Sequence, residues 1–410
     1  MSDTAVGPAA AWRVLRTRDF GPYFVGNALS ASGTWFHSLA AALLVYRLTG
    51  SEFLLGVLAF SQFGAILALS PWAGAAADRF DRRRLLLVAE AAAFALSATL
   101  ALLAFRGLAE EWVVIGFTLG LGVTSAFASP AQLALVAALV PRSELQTAVA
   151  LNSMTFNLAR AVGPALAALC VATLGIPASF AINSLSYLVF AGALLLIRTE
   201  PQERAVSPKL RQSLALVRRD PRLGAYLVIV AALGYASDPV NTLAPAFAEE
   251  FGRPDTDAGF VIGAFGAGAV TAALVVAGRA TGTRGTMAAT LVLLGLAIPA
   301  FALSPWFELA FVFLFLAGFG YLASNTAATT RLQLGVEESQ RGRIMALWTI
   351  AFLGLRPLAS LADGAIAAVA GVRVAGVVLA VPALVAGLAL LSPLGPGGRR
   401  RPPATARARA

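Results

Sequence analysis

The chain has 410 residues, of which 58% are hydrophobic and 13% charged, whereas soluble proteins average about 25% charged residues. This composition argues against an ordinary cytosolic enzyme and indicates a protein that lies mostly in a membrane. A single cysteine and a single histidine exclude a disulfide framework and a thiolate or multi-histidine metal centre, so we expect no metal and no cofactor. The net charge of +10 does not indicate a nucleic-acid partner, because most basic residues occupy short segments between apolar runs.

Twelve long apolar runs follow one another along the chain, and each is long enough for a membrane-spanning helix, which needs about 20 mostly apolar residues. The runs cover residues 20–48, 53–77, 85–105, 112–140, 145–174, 176–197, 223–248, 258–277, 287–303, 306–334, 344–370 and 372–391. Membrane barrels are built from alternating segments of about ten residues, whereas these runs are apolar throughout. The sequence therefore predicts an all-α membrane protein with twelve transmembrane helices. The first run is too long for the core of a signal peptide and is expected to remain in the mature protein.

The distribution of Lys and Arg predicts the orientation of the chain. If the amino terminus is cytoplasmic, the segments on that side carry 24 basic residues, the outer loops together with the run ends beside them carry 4, and the interiors of the apolar runs contain 3, which accounts for all 31. Because cytoplasmic loops of membrane proteins are enriched in Lys and Arg, we predict a protein of the inner (cytoplasmic) membrane with both termini in the cytoplasm.

The longest polar stretch, residues 198–222, separates six runs from six. We predict an amino-terminal six-helix bundle at 1–197, a cytoplasmic linker at 198–222, a carboxy-terminal six-helix bundle at 223–394 and a basic cytoplasmic tail at 395–410. In the linker, Leu210, Leu214 and Val217 share one helical face, which predicts a short amphipathic helix on the inner membrane surface. A merely solvated basic linker is the alternative.

The two halves of the chain share a sequence pattern. Arg160 of the fifth run recurs 196 residues later as Arg356 of the eleventh run, and Leu151 and Phe156 recur at the same interval. A shared interval that includes an arginine inside an apolar run indicates duplicated halves. Parallel repeats with a binding site between them at the middle of the membrane are typical of secondary transporters.

Polar and charged side chains inside apolar runs are costly and are therefore candidates for function. The candidates for a substrate or proton pathway, in chain order, are Asn27, Thr34, His37, Gln132, Arg160, Asp238, Asn241, Asn325 and Arg356. For Arg160, Arg356 and Asp238 a structural charge pair is an equal alternative, and Asp238 can pair with either arginine. For His37 the alternative is hydrogen-bonded packing. Asp363 lies nearer the outer end of its run, and we assign it a structural role.

A glycine, an aspartate and a group of arginines lie between the second and third runs, in the sequence GAAADRFDRRR at 74–84. The candidate gating residues in this segment are Gly74, Asp78, Arg79, Arg82 and Arg83. The glycine permits close helix packing, the aspartate can cap a helix or pair with an arginine, and the arginines suit the anionic inner surface. The segment resembles motif A of the major facilitator superfamily, G-x-x-x-D-R-x-x-R-R, except that Asp81 replaces the usual glycine. The corresponding loop of the second half, 278–284, keeps only a degenerate version.

Three further segments, 48–51, 148–164 and 341–357, resemble the branch of this superfamily that includes the enterobactin exporter. The resemblance implies the two-bundle major facilitator fold, alternating access, and a cavity lined by the first, fourth, seventh and tenth helices. It also implies that motif A latches the second helix to the start of the eleventh at the cytoplasmic gate, through Asp78.

Gly163 and Pro164 in the fifth run are similar to the antiporter motif of the superfamily, G-P-x-x-G-G, with alanines in place of the last two glycines. A proline bends a helix and small residues permit close packing, so an ordinary kinked helix is the alternative.

We predict a secondary active transporter that exports a small amphipathic molecule, siderophore or drug-like, by alternating access, with a proton or another ion exchanged for it. An importer or a lipid flippase of the same fold is the alternative, followed by a membrane-embedded enzyme or receptor. The chain has no phosphate-binding G-x-x-x-x-G-K-[ST] sequence and no arrangement of nucleophile and base, so we do not expect an enzyme. The expected partners are the substrate, the coupling ion and the lipid bilayer.

Both termini and the linker are expected to be inaccessible to a membrane-impermeant thiol reagent applied to intact cells, because of the 24-to-4 excess of basic residues on their side. Single cysteines introduced near each terminus and in the linker provide the measurement. We expect labelling only after the cells are permeabilised. Labelling of the linker in intact cells would overturn the topology.

Overall fold

The computed structural model describes residues 8–141, 143–198, 210–276, 283–337 and 340–392, and these ranges contain sixteen α-helices joined by short connections. The helices of the first half are α1 (Pro8–Leu15), α2 (Phe20–Thr49), α3 (Glu52–Arg79), α4 (Arg82–Phe105), α5 (Glu111–Val136), α6 (Leu145–Leu174) and α7 (Ile176–Leu196). The remaining helices are α8 (Leu210–Arg219), α9 (Pro221–Thr242), α10 (Ala244–Glu250), α11 (Ala258–Val276), α12 (Arg284–Ala302), α13 (Phe307–Leu334), α14 (Arg341–Thr349), α15 (Arg356–Ala370) and α16 (Val372–Leu391). A π-helical segment, Ile350–Gly354, connects α14 to α15, and a 3-10 turn, Asp255–Asp257, precedes α11.

Within the described ranges, twelve helical segments are long and apolar enough to cross a membrane. The first half contributes α2 to α7, and the second half contributes α9, α11, α12, α13, the continuous α14–α15 segment and α16. These segments coincide with the twelve predicted runs. The all-α membrane fold is therefore confirmed, and the chain is a multi-pass membrane protein.

Two of the predicted runs are not single regular helices. The seventh run, predicted to be continuous over 223–248, is divided into α9 and α10 at Leu243. Pro245, two residues later, has no amide hydrogen to donate to the preceding turn, which explains the break. The eleventh run contains the π-helical segment directly before Arg356 and Pro357, and such segments are frequent at functional sites.

Side chains cap the starts of several helices. Ser51 accepts a hydrogen bond from the backbone N–H of Leu54 in α3, and Asp81 accepts one from the N–H of Arg84 in α4, at 2.7 Å. A cap of this type stabilises a helix by about 1 kcal/mol. Asp81, which replaces the usual glycine of motif A, therefore caps the start of α4.

The predicted linker helix is present as α8. Its buried residues Ser213 and Leu216 face the protein, and α8 packs against α9 and α14. Leu214, on the predicted apolar face, is 43% exposed, so contact of this face with the membrane surface stays a prediction. The part of the linker at 199–209 and the tail at 395–410 lie outside the described residues.

The helices pack in two groups that correspond to the two halves of the sequence. In the first group α2 packs against α7, α3 against α5, and α4 against both α5 and α7. The second group repeats these pairs, with α9 against α16, α11 against α13, and α12 against both α13 and α16. The duplicated sequence pattern is thus matched by duplicated packing, in two six-helix bundles.

The two ends of the bundles differ in charge, and we name them accordingly. The basic end carries α1, α8 and the arginine-rich connection between α3 and α4, whereas the acidic end carries the connection between α10 and α11. At the acidic end Arg47 of α2 forms an ion pair with Asp255, with 2.5 Å between Nε and Oδ2. A surface ion pair contributes at most about 1 kcal/mol, so it marks contact between the halves without accounting for it.

Closer contacts between the halves are made by glycines towards the acidic end. A Cβ atom at Gly56 of α3 would lie 2.5 Å from the carbonyl oxygen of Ser360 in α15, and Gly364 of α15 lies against the same turn of α3. A Cβ atom at Gly259 of α11 would lie 2.6 Å from the carbonyl oxygen of Pro164 in α6. Glycine is required at these places because helix backbones approach each other directly.

The eleventh helical segment leaves α3 at the basic end. Among the described residues, nothing lies within 4 Å of a Cβ atom placed at Gly74, near the end of α3, or at Gly342, at the start of α14. The main described contacts of α14 are with α8, α9, α13 and the π-helical segment, all in its own half, whereas α3 packs along α15 and the π-helical segment. Close helix packing at Gly74, which the sequence predicts, is therefore not found among the described residues of this structure. The described contacts between α3 and the eleventh helical segment are concentrated towards the acidic end.

Gly56→Ala is expected to lower the thermal unfolding midpoint of the purified protein, because the added methyl group would press against the backbone of α15. Overpacking of this kind costs about 1–3 kcal/mol. Gly116→Ala in α5 is the matched control, since nothing lies within 4 Å of its Cβ position and alanine favours a helix over glycine by about 1 kcal/mol. An equal midpoint for the two variants would show that the close contact at Gly56 is absent.

Candidate functional site

A buried cluster of charged and hydroxyl side chains joins α9 to α15. Asp238 is fully buried, and its Oδ1 atom lies 3.3 Å from Nε of Arg356. Its Oδ2 atom accepts hydrogen bonds from Ser360, at 2.6 Å, and from Thr242, at 2.9 Å. Of the two arginines that the sequence offers as partners, Asp238 therefore pairs with Arg356.

A second carboxyl group lies against this cluster. Asp363 is fully buried, and it lies near enough to Asp238 for the two carboxyl groups to interact electrostatically. No described hydrogen-bond donor reaches either of its carboxyl oxygens. Two adjacent buried carboxyl groups are costly when both are charged, whereas they can hold one proton between them. The structure thus places Asp363, which was assigned a structural role from sequence, beside the candidate proton site.

Arg356 also contacts the first half of the protein. Its guanidinium group lies 4.5 Å from the ring centroid of Phe63 in α3, and its side chain is 13% exposed. A desolvated contact between a cation and an aromatic ring contributes about 2 kcal/mol. The charged cluster of the second half is therefore in direct contact with α3.

Arg160, the corresponding arginine of the first half, contacts the second half in the same way. Its Nη1 atom donates a hydrogen bond to the hydroxyl of Tyr321 at 2.9 Å. Its guanidinium carbon lies 4.6 Å from the ring centroid of Tyr321 and 5.5 Å from that of Phe265. Arg160 is 9% exposed, and among the described residues no carboxylate forms a salt bridge with it. The two repeated arginines thus share aromatic contacts but differ in their counter-charge.

The polar stripe of α2 takes part in hydrogen bonds within the first half. Gln132 of α5 donates a hydrogen bond to the side-chain oxygen of Asn27, and Asn27 donates to Asn152 of α6 at 2.9 Å. The hydroxyl of Tyr23 donates to the same oxygen of Asn152 at 3.3 Å. Asn27 and Gln132, both predicted for the substrate pathway, are therefore joined in one network that ties α2, α5 and α6 together.

The other predicted pathway residues have different environments. His37 is 2% exposed and shares a hydrogen bond of 3.1 Å with Thr118 inside the first half, which is the geometry of a packing residue. The hydroxyl of Thr34 donates to a backbone carbonyl of its own helix. The side-chain oxygens of Asn241 and Asn325 are buried and have no described hydrogen-bond donor. These two asparagines keep unused hydrogen-bonding capacity, as does Nδ1 of His37, which is buried and has no described partner, whereas the hydroxyl of Thr34 is engaged.

Arginines at the starts of α4 and α12 donate hydrogen bonds to the last backbone carbonyl groups of neighbouring helices. Arg83 donates from Nε and Nη2 to the carbonyl oxygens of Leu194 and Leu195, at 2.6 and 2.9 Å, at the end of α7. Arg284 donates in the same way to two carbonyl oxygens at the end of α16, both at 2.8 Å. The last carbonyl groups of a helix lack intrahelical partners, so these contacts satisfy them. The loop that was degenerate in sequence therefore preserves this arginine, whose partners lie in its own half.

The remaining predicted residues are placed as follows. Arg79 is exposed and Arg82 is half-buried, while the side chain of Asp78 lies outside the described residues, so the latch stays a prediction. Gly163 packs directly against the side chain of Trp35 in α2, since a Cβ atom placed at Gly163 would lie 2.9 Å from that side chain. The helix α6 continues through Pro164 as one element.

Comparison with known proteins identifies the class of this chain. The family model described as transmembrane secretion effector matches residues 9–396, which is nearly the whole chain. The chain belongs to the transmembrane secretion effector family. The family and its structural neighbours are transporters of the major facilitator type, which agrees with the expectation that the chain is not an enzyme.

Two relatives of this chain are named as a transporter and as an exporter. A staphyloferrin A transporter of Staphylococcus aureus (strain NCTC 8325 / PS 47) is 29% identical over 169 residues, which cover 41% of this chain and only 42% of that protein. Enterobactin exporter EntS of Shigella boydii serotype 4 (strain Sb227) is 28% identical over 338 residues, which cover 80% of each chain. The resemblance to the enterobactin exporter branch is therefore confirmed.

Solved structures confirm the major facilitator fold. A bacterial homologue of the human lysosomal transporter Spinster, inward-facing and unoccupied, matches with a TM-score of 0.73 at 14% identity, over 93% of this chain and 96% of that one. A D-xylose–proton symporter matches with a TM-score of 0.73 at 13% identity, over 93% of this chain and 99% of that one.

Sequence reasoning missed several residues of the site. Glu90 of α4 is 6% exposed inside the first half and lies near Ser30 of α2. Glu90 could have been identified from sequence, because it is an acidic residue inside the apolar run 85–105. The rings of Phe63 and Tyr321 have no such signal, because an aromatic residue in an apolar run is typical of packing.

Removal of one side chain of the Asp238–Arg356 pair is expected to destabilise the protein more than removal of both. Asp238→Ala leaves a buried positive charge without its partner and is expected to cost about 3–5 kcal/mol, much of which Arg356→Met in the same chain should restore. The thermal unfolding midpoints of both single variants and the double variant measure this. Additive losses in the double variant would show that the two side chains are not coupled.

Proposed function

We propose that this transporter exports a small amphipathic molecule of siderophore-like chemistry from the cytoplasm by alternating access. The observation that carries the proposal is the unequal contact between α3 and the eleventh helical segment. The two meet backbone to backbone at Gly56 and Gly364, whereas no described atom lies within 4 Å of a Cβ position at Gly74 or Gly342. Bundles that touch at one end and separate at the other support a cavity that is reached from one side only.

The charge distribution supports an inward-facing assignment for this conformation. By the positive-inside rule the basic end is cytoplasmic, so the open end faces the compartment from which an exporter collects its substrate. The bacterial relatives, one of them named as an exporter, support a location in the inner membrane and a siderophore-like substrate.

Motif A provides the cytoplasmic gate in this proposal. Closure of the basic end would bring Gly74 of α3 towards Gly342 of α14, where the absence of side chains permits a second close crossing. Asp78 would then pair with an arginine at the start of α14. The glycines at 56 and 364 would separate in the same movement, which opens the acidic end.

Proton exchange at Asp238 and Asp363 supplies the energy for export in this proposal. Arg356 contacts Asp238 at 3.3 Å and Phe63 of the other half at 4.5 Å, so it connects the carboxyl pair to α3. A proton that arrives from the acidic end neutralises Asp238 and removes the counter-charge of Arg356. The contact with α3 is thereby altered beside Ser360, where the two halves cross.

Cells that lack their own siderophore exporters are expected to release a catecholate siderophore faster when they carry this protein. Asp238→Asn is expected to lose concentrative efflux and to retain exchange down a gradient, because asparagine can still accept hydrogen bonds from Ser360 and Thr242 but cannot take up a proton. Efflux from cells, and transport in proteoliposomes with an imposed pH gradient, are the measurements.

Arg253→Gln is the matched control for this experiment, because it removes one member of an ion pair on the surface of the acidic end, with Asp257. It is expected to transport normally. Concentrative efflux by Asp238→Asn that still responds to the pH gradient would exclude Asp238 as the proton carrier. Uptake of the siderophore in place of release would establish the importer alternative.

A further inference from the structure

The two repeated arginines are not chemically equivalent, and the difference bears on the charge of the substrate. Arg356 has its counter-charge in Asp238, at 3.3 Å. Arg160 occupies the corresponding position of the first half, and among the described residues it has no carboxylate partner. By the 196-residue interval, the position that corresponds to Asp363 is Ala167, so the acid of the second half is absent from α6.

A buried cation without a counter-charge is costly, and such a group inside a membrane is a candidate for binding. Arg160 is 9% exposed, and its described hydrogen bonds consist of the one from Nη1 to the hydroxyl of Tyr321. A guanidinium group has five N–H donors arranged as a planar fork. Arg160 therefore keeps both an unbalanced positive charge and unused donors, at the surface where the two halves meet.

The surroundings of Arg160 are aromatic. The rings of Tyr321 and Phe265 flank its guanidinium group, and the ring of Phe352 lies 6.4 Å from that of Tyr321. Trp348 stacks on Phe352 at 4.9 Å, with 22° between the ring planes. Because Trp348 lies in α14, this row of rings leads from Arg160 towards the open basic end. The indole N–H of Trp348 is buried and has no described acceptor.

We infer that Arg160 is the charge-recognition residue of a substrate site for aromatic anions, with the partly exposed rings of Phe352 and Trp348 along its wall and the buried Tyr321 behind it. The inference rests on the proposed function and names the substrate class for it. A carboxylate or phenolate group can accept two parallel hydrogen bonds from a guanidinium fork, and its ring can stack on the aromatic row. Arg356 is unsuited to this role because Asp238 already neutralises it.

The competing explanation is that Arg160 only holds α6 against α11 and α13, through its contacts with Tyr321 and Phe265. Two substitutions distinguish a role of Arg160 in recognising charge from a role in holding the helices together. Arg160→Lys keeps the positive charge and loses the planar fork, whereas Arg160→Gln loses the charge. The thermal unfolding midpoint of each variant without ligand reports on the structural role, and ligand preference reports on recognition.

The test measures binding of salicylate and of salicylamide to the purified full-length protein, by the thermal stabilisation that each compound produces. The two probes share a ring and a hydroxyl group, but only salicylate is an anion. We expect the wild-type protein to bind salicylate at least about tenfold more tightly than salicylamide. Arg160→Gln is expected to remove this preference, and Arg160→Lys to keep part of it. Arg253→Gln, an arginine-to-glutamine change on the surface of the acidic end, should leave the preference unchanged.

Two outcomes would overturn the inference. One is a wild-type protein without a preference for the anion. The other is an Arg160→Gln variant that keeps the full preference, whatever its unfolding midpoint. Citrate that binds as well as salicylate would overturn the aromatic part of the inference. Binding is measured without a membrane or a gradient, so the binding result does not depend on export or on proton coupling. A failure of the proposed function can therefore be distinguished from a failure of this inference.

Discussion

The burial of positive charge near the middle of the membrane is the constraint on which the rest of this structure depends. An arginine at the centre of a membrane helix costs about 3 kcal/mol or more, so each repeated arginine must lie against groups that lower its energy. Arg356 and Arg160 both meet aromatic rings of the opposite half, at 4.5 and 4.6 Å. The halves cannot change position at this level unless each charge finds new partners. The same two residues therefore connect the chemistry of the site to the arrangement of the bundles.

The duplication places an arginine at equivalent positions of the two halves, Arg160 and Arg356. The acidic residues near these two arginines differ. Asp238 pairs with Arg356 and lies near Asp363, whereas the described neighbours of Arg160 are aromatic rings and one hydroxyl group. Under the proposed function, this difference divides the work between the halves, with proton exchange in the second half and recognition of an anion by the first. The glycine contacts at the acidic end lie beside Ser360, so the Asp238 cluster and the close crossing of α3 with α15 are parts of one region.

Some errors of sequence reasoning have a common physical origin. The break at Leu243 and the π-helical segment were missed because mean hydropathy is high on both sides of each. Asp363 was assigned to structure because it lies nearer the outer end of its run, whereas its position relative to Asp238 on another helix cannot be predicted from the sequence. Asn27 of α2 was predicted for the substrate pathway because it is a polar residue in an apolar run, but residue type does not reveal whether its partners are substrate or, as here, other side chains of the same half.

The sequence by itself determined the number of membrane helices, the duplication, the two arginines and the membership of the superfamily. These follow from local quantities, since the cost of placing a side chain in hydrocarbon depends on the residue and on the apolar run around it. Only the tertiary structure decided that Asp238 pairs with Arg356, that no acid among the described residues pairs with Arg160, and that α3 meets α15 backbone to backbone. These features depend on how helices distant in the chain rotate and approach, which is set by the packing of whole bundles.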